Sequence, residues 1–231
     1  MLALDSVSSF YGRSQVLHDL SARAESRKIL AVLGRNGVGK TTLLRTIMGL
    51  TDRATGTLFL DGADLTAAAT HERARAGIGY VPQGRQIIPD FSVRENILMG
   101  GFAAHGSGRK IPEIVPELFP YLMDNLDRPG GLLSGGQQQQ LAVARALAAR
   151  PKVLLMDEPT EGIQPNIVEL IEKAIVRLNK DLNLTIILVE QNVAFARHAA
   201  HAFIMMENGR VVAGGPIDGL TDDVVQRHMT I

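Results

Sequence analysis

The segment from Gly34 to Thr41, "GRNGVGKT", constrains this chain more than any other part of it. It matches G-x-x-x-x-G-K-T and stands between a short apolar run, Ile29 to Leu33, and "LLRTIMGL", which predicts a helix closing on Gly49. An unbroken apolar run of that length is expected of a strand buried on both faces. Strand, glycine-rich turn and helix in that order predict an α/β core built round a phosphate-binding loop. Gly34, Gly37 and Gly39 let backbone N–H groups converge on phosphate oxygens, at a helix N-terminus that already favours anions. Arg35, Asn36 and Val38 fill the remaining loop positions and are counted with the nucleotide-binding residues. Lys40 can reach the β- and γ-phosphates. Thr41 can offer a hydroxyl to Mg²⁺, and Thr42 a further hydrogen bond to phosphate.

Strand signals flank this loop on both sides. Leu2 to Phe10 alternates apolar and polar residues, and "GTLFLDG" (Gly56 to Gly62) reads as a strand ending in an Asp-Gly turn. "THERARAG" reads as a short polar helix capped by Gly77, and "IGYVPQG" as a strand stopped by Pro82. Between Gln83 and Arg150 the apolar spacing becomes helical, opening on the capping box "SVRE" and passing through the loop "HGSGRKIPEIVP". Strands return in "KVLLMD", "LTIILVE" and "AFIMMENGRVVAGG", with the helix "PNIVELIEKAIVRLNKD" among them. The expected organisation is a nucleotide-binding core over 1–83 and 151–231, interrupted by a helical subdomain over 84–150.

Two further motifs bear on chemistry. "VLLMDEP" ends a buried strand on two acids. Asp157 suits Mg²⁺ as a hard oxygen ligand. Glu158, beside a γ-phosphate, can orient and deprotonate water. In "LLSGGQQQQL", Ser134, Gly135 and Gly136 open a long helix and make a second phosphate-seeking helix end. Taken alone, the motif would be an ordinary serine cap. Its place, one helix before "VLLMDE", favours the functional reading.

In this set and order of motifs, over nearly its whole length, the chain resembles the nucleotide-binding subunits of ABC transporters. The resemblance implies a P-loop NTPase core of RecA-like type, with an N-terminal antiparallel β subdomain and an inserted helical subdomain. It makes "LSGGQ" the family signature, so that Ser134, Gly135, Gly136 and Gln137 contact ATP held by a partner cassette. Tyr11 takes the place of the aromatic residue that stacks on adenine. Gln83 takes that of the glutamine joining Mg²⁺ and water to the permease's movements. ATP hydrolysis to ADP and phosphate, with Mg²⁺, is the implied activity. The implied partners are membrane permease subunits, a second ABC ATPase (a heterodimer in the cell, or a homodimer in isolation) and, indirectly, a solute-binding protein. Within the family, "GRNGVGKTT", "GYVPQGRQIIPDFSVRENI" and "MDEPTEGIQP" look most like the E-type ATPase of urea transporters. The F-type ATPase of branched-chain amino acid transporters is the close alternative.

Two positions depart from the family pattern. Gln164 and Pro165 stand where the loop after "EPT" commonly ends in aspartate. Gln191, in "TIILVEQNV", stands where most cassettes place a histidine against the γ-phosphate. An amide can donate to phosphate and accept from water but cannot carry positive charge. Gln191 is therefore expected to keep the geometry of that position, with weaker charge stabilisation, and to belong with Glu158 to the catalytic pair. A partner cassette with histidine would then give two unequal sites.

Bulk properties narrow the rest. Lys+Arg and Asp+Glu are both 24, so no global basic field argues for nucleic acid. With no cysteine, thiol catalysis, disulfides and Cys–zinc sites are excluded. No signal peptide or apolar membrane span is evident, so the expected place is cytoplasmic, peripheral on the inner face of the membrane through the permease. His198 and His201 are expected to share an exposed helix face without a metal, as ligands at suitable spacing are missing; His18, His71, His105 and His228 are scattered. Arg73, Arg75 and Arg85 are expected on solvated surface. A non-transport ABC ATPase, a small-molecule P-loop kinase and a nucleotide-binding regulator are weaker readings: there is no coiled-coil insert or acceptor pocket, and Lys40, Asp157 and Glu158 are intact.

Overall fold

The computed structural model describes residues 1–103 and 110–229. His105 and part of the loop expected around it lie outside the described residues. Two sheets organise the chain. The first is antiparallel, in the order β2-β1-β4-β5, with β1 at Leu2–Tyr11, β2 at Ser14–Ala24, β4 at Arg53–Leu60 and β5 at Ala63–Asp64. The second has the order β10-β9-β3-β8-β7-β6. Its strands are β3 (Ile29–Leu33), β6 (Ile78–Val81), β7 (Val153–Asp157), β8 (Thr185–Val189), β9 (Ala202–Glu207) and β10 (Arg210–Pro216). All its pairings are parallel except that of β10 with β9.

Burial follows the sequence pattern. Every residue of β3, β7 and β8 is buried, because helices cover one face of this sheet and the phosphate-loop helix with the antiparallel sheet covers the other. The first sheet alternates, turning Leu2, Leu4, Leu17, Leu20, Leu58 and Leu60 inward. Those residues form one core with Leu43, Leu44 and Ile47 of α1 (Lys40–Met48), so the antiparallel sheet and the phosphate-loop helix pack directly together.

Helix α2 (Thr70–Ala76) leads into β6, and among the described residues four α-helices lie between β6 and β7: α3 (Val93–Gly100), α4 (Ile114–Leu118), α5 (Pro120–Asp124) and α6 (Gly135–Leu147). Ser92 caps α3 as expected, accepting from Glu95 N at 3.2 Å while the Glu95 carboxylate accepts from Ser92 N at 2.8 Å. Leu141, Val143, Ala144 and Leu147 of α6 join the apolar core beneath β7 and β8. That core also takes residues of α7 (Pro165–Leu182) and α8 (Val193–Ala199), and α9 (Asp222–Met229) packs at its margin.

Two expectations are corrected. Arg73 is not on solvated surface. It is 7% exposed and donates to four main-chain carbonyls, those of Thr46, Ile47, Thr66 and Ala68, at 2.7 to 3.0 Å. The polar look of α2 hid this, because a guanidinium can be buried if carbonyl oxygens replace its water. His201 does not share a helix with His198: α8 ends at Ala199, and the His201 ring accepts from Ile29 N at 3.2 Å through Nδ1.

Candidate active site

The phosphate-binding loop leaves the buried end of β3 and enters α1 with Gly34 (φ 147°), Gly37 (80°) and Gly39 (105°) in conformations that L side chains rarely adopt. At Gly34 a Cβ would stand 2.5 Å from the Met206 carbonyl oxygen, so the close approach of β9 also requires glycine. The loop opens on a cavity of about 300 Å³, lined by Val16, Asn36, Gly37, Gly39, Lys40, Thr41, Thr42, Gln83 and Glu158. Lys40, only 4% exposed, donates to the carbonyls of Gly34 at 2.8 Å and Arg35 at 3.0 Å. Its ammonium lies 3.3 Å from Glu158 Oε1.

Parallel neighbours β7 and β8 pair Asp157 with Val189 at their ends, so the acids of one strand and the polar residues after the other emerge side by side. Thr41 Oγ1 donates to Asp157 Oδ1 at 3.1 Å, and Tyr80 OH to Oδ2 at 3.4 Å. Burial raises the Asp157 carboxyl above the usual carboxylate range. The hydrogen bond from Thr41 opposes that shift, and the Glu158 charge adds to it. Tyr80 is pushed up as well, chiefly by burial and then by the Asp157 charge. Gln191 Nε2 donates to Glu158 Oε1 at 3.0 Å and to Asn36 Oδ1 at 2.7 Å. Lys40, Thr41, Asp157, Glu158 and Gln191, singled out separately in the sequence, thus meet round one end of the cavity.

Other expected residues stand further out. Gln83 lines the cavity and donates from Nε2 to Glu161 at 2.7 Å. Tyr11, at the end of β1, has the Arg45 guanidinium 5.6 Å from its ring centre and is not among the cavity's lining residues. Ser134, Gly135, Gly136 and Gln137 do not line it either. They form the start of α6, where Gln137 Oε1 accepts from Ser134 N at 2.9 Å and Ser134 Oγ accepts from Gln137 N at 3.4 Å.

Sequence reasoning missed the contacts that join these pieces. Arg85, expected to be solvated, is half-buried; its guanidinium donates to the Gly162 carbonyl at 3.4 Å and lies against Gly135. The Arg85 and Gln86 carbonyls accept in turn from Arg145 at 3.0 and 2.7 Å. Glu190 is 3% exposed and bonded on both carboxylate oxygens. Its place at the end of an apolar strand was the available signal. Among the described residues, no three or more His, Cys, Asp or Glu side chains gather as a metal-ion site, and no helix is long and apolar enough to cross a membrane.

Comparison with known proteins gives the family. The ABC transporter family model matches residues 17–161. The high-affinity branched-chain amino acid transport ATP-binding protein BraG of Pseudomonas aeruginosa is 39% identical over 92% of this chain and 91% of its own length. LivF of Archaeoglobus fulgidus, a "Probable branched-chain amino acid transport ATP-binding protein", is 35% identical over 96% of this chain and 94% of its own. Among solved structures, a dimeric ATP-binding cassette in a post-hydrolysis state with ADP and Pi matches with a TM-score of 0.83 and 26% identity, over 94% of this chain and 99% of that one. A nucleotide-free cassette from an ABC transporter matches with a TM-score of 0.81 and 25% identity, over 98% and 97%. With the phosphate loop, the paired acids and the cassette fold in place, this chain belongs to the ABC transporter family, as an ATP-hydrolysing, ATP-binding subunit.

Proposed function

We propose that this subunit drives a branched-chain amino acid importer, as one of two cassettes beneath a membrane permease. The observation that carries this reading is the 39% identity with BraG over 92% of the chain. The likeness of Glu161 to Pro165 to urea transporter ATPases favours a second reading. That loop is what tips the three likened segments towards urea, whereas BraG and LivF, similar over more than nine-tenths of this chain, are described as branched-chain amino acid proteins. The amino-acid reading therefore stands first. On either reading the place of work is the cytoplasmic face of the membrane, with a solute-binding protein acting through the permease.

The proposed chemistry follows from the site. ATP lies with its phosphates in the loop from Gly34 to Thr42 and its adenine towards Tyr11. Lys40 exchanges its contact with Glu158 for phosphate oxygens. Glu158, freed from the ammonium, orients water and takes its proton. Gln191 holds that carboxylate through Nε2 and offers its amide to the γ-phosphate. Mg²⁺ fits this site on the chemistry of its donors: Thr41 and buried Asp157 are hard oxygens already 3.1 Å apart, with Gln83 on the cavity wall. Once bound there, the ion neutralises phosphate charge.

Ser134 to Gln137 and the phosphate loop form separate surfaces of one chain. A second cassette is the partner that brings a signature helix onto this chain's ATP. The absence of an imidazole at Gln191 makes an unlike, histidine-bearing cassette the preferred partner, with a homodimer as the alternative in isolation. Purification with its permease and reconstitution in liposomes tests the reading. Leucine, isoleucine or valine with the cognate binding protein should stimulate ATP hydrolysis, and urea should not. Stimulation by urea alone would replace the amino-acid reading with the urea one.

A further inference from the structure

The loop that follows Glu158 is held at three consecutive residues by three different side chains. Thr160 Oγ1 donates to Glu190 Oε1 at 2.8 Å. The Glu161 carboxylate accepts from Gln83 at 2.7 Å, and the Gly162 carbonyl from Arg85 at 3.4 Å. Gln83 and Arg85 are exposed or half-exposed, whereas Glu190 is buried at 3% exposure. The second oxygen of Glu190 receives the backbone N–H of Gln191 at 3.1 Å and of Asn192 at 3.4 Å. One carboxylate therefore ties the loop carrying Glu158 to the turn carrying Gln191.

Burying a carboxylate against a hydroxyl and two amides, with no cation in bonding distance among the described residues, costs free energy that an apolar strand end would avoid. Burial raises the Glu190 carboxyl accordingly, against the pull of its three hydrogen bonds. Glu158 and Gln191 keep their contact only if both backbones are fixed, since their side chains meet across two separate loops. We propose that Glu190 is a positioning residue for ATP hydrolysis, fixing the Glu158 loop through Thr160 and the Gln191 turn through two main-chain amides. It rests on the reading of Glu158 as the base that activates water. Glu190 is set back behind both residues and acts on the reaction only through them.

The test uses the permease-bound complex and the variants Glu190→Gln, Thr160→Val, Gln191→Ala and Glu190→Gln/Gln191→Ala. Glu190→Gln and Thr160→Val should each lower kcat by about tenfold or more, with KM for ATP within about twofold. The double variant should be no slower than its slower parent, because both changes break one arrangement. Hydrogen exchange gives a readout independent of hydrolysis: the amides of Gln191 and Asn192 should exchange at least about tenfold faster in Glu190→Ala, with protection regained in Glu190→Asp. A kcat for Glu190→Gln within about twofold of wild type, or losses that multiply in the double variant, overturns the proposal. Wild-type hydrolysis by Glu158→Gln would instead remove the base assignment. In that case the anchor itself still fails only if exchange at both amides is unchanged in Glu190→Ala.

Discussion

Gln191 and Glu158 share a hydrogen bond of 3.0 Å from the amide Nε2 to carboxylate Oε1, the same oxygen that lies 3.3 Å from the Lys40 ammonium. One carboxylate oxygen thus faces a neutral donor on one side and a cation on the other. Lys40 and Glu158 side chains are only 4% and 8% exposed, so their attraction is poorly screened. On the proposed chemistry, a phosphate entering the loop replaces Glu158 at Lys40.

Glu158→Gln should lower ATP hydrolysis on the order of a hundredfold or more while ATP still binds, because the amide can occupy the site but cannot accept a proton. Lys40→Ala should weaken ATP binding as well, having removed a buried positive charge from the cavity wall. Phosphate release and equilibrium nucleotide binding, measured side by side, separate the two. Equal loss of binding in both variants would contradict this division of roles between Glu158 and Lys40.

Gln191→Ala should cost about tenfold in kcat, since it removes the donor to Glu158 and Asn36. Gln191→His should behave differently. Its rate should rise as pH falls through about 6.5, where an imidazole gains its charge, whereas wild type should show no such limb. Steady-state pH profiles of the complex decide this, and matching profiles for the three proteins would deny Gln191 a part in catalysis.

Glu190 also predicts a pH dependence of stability. Its folded pKa is raised above the ordinary value of 4.5, chiefly by burial. The folded state therefore holds the proton more tightly than the unfolded chain. The stabilising contribution is fully present below 4.5 and is lost as pH rises through the folded pKa. Melting temperatures of wild type should consequently fall relative to Glu190→Gln as pH is raised from about 4.5 to 7. A constant difference across that range would mean that the carboxyl is not shifted.

Arg73→Met should destabilise the fold by roughly 3 kcal/mol, because it removes a buried side chain that donates to main-chain carbonyls of both α1 and the segment after β5. Arg73→Lys should recover only part of this, as one ammonium cannot reach four carbonyls in a planar fork. Urea denaturation measures both. A loss below about 1 kcal/mol in Arg73→Met would show that water replaces the guanidinium at little cost.

The parts legible in the sequence were those with a local signature. Ile29 to Leu33, Val153 to Asp157 and Thr185 to Val189 read as buried strands because apolar residues dominate each run, and each is buried in the fold. The capping box at Ser92 was readable for the same reason, as both partners lie within one helical turn; the Ser134–Gln137 box is equally local but was not read. Contacts closed by topology were not readable. Gln83 and Glu161 are 78 residues apart, and Lys40 meets Glu158 only because β3 and β7 flank β8. Arg73 failed for a further reason: a charged side chain on a polar helix looks solvated unless its carbonyl acceptors, contributed by α1 and the segment after β5, are known.

That same guanidinium has a mechanical consequence. Arg73 of α2 grips the last carbonyls of α1 and those of Thr66 and Ala68, which follow the short edge strand β5. The two contacts weld the far end of the phosphate-loop helix to the margin of the antiparallel sheet. Neither piece can rotate against the other without stripping a buried cation of its acceptors. Any hinge in this subunit must therefore be sought elsewhere, and the antiparallel sheet travels with the nucleotide as a rigid fairing on the same frame.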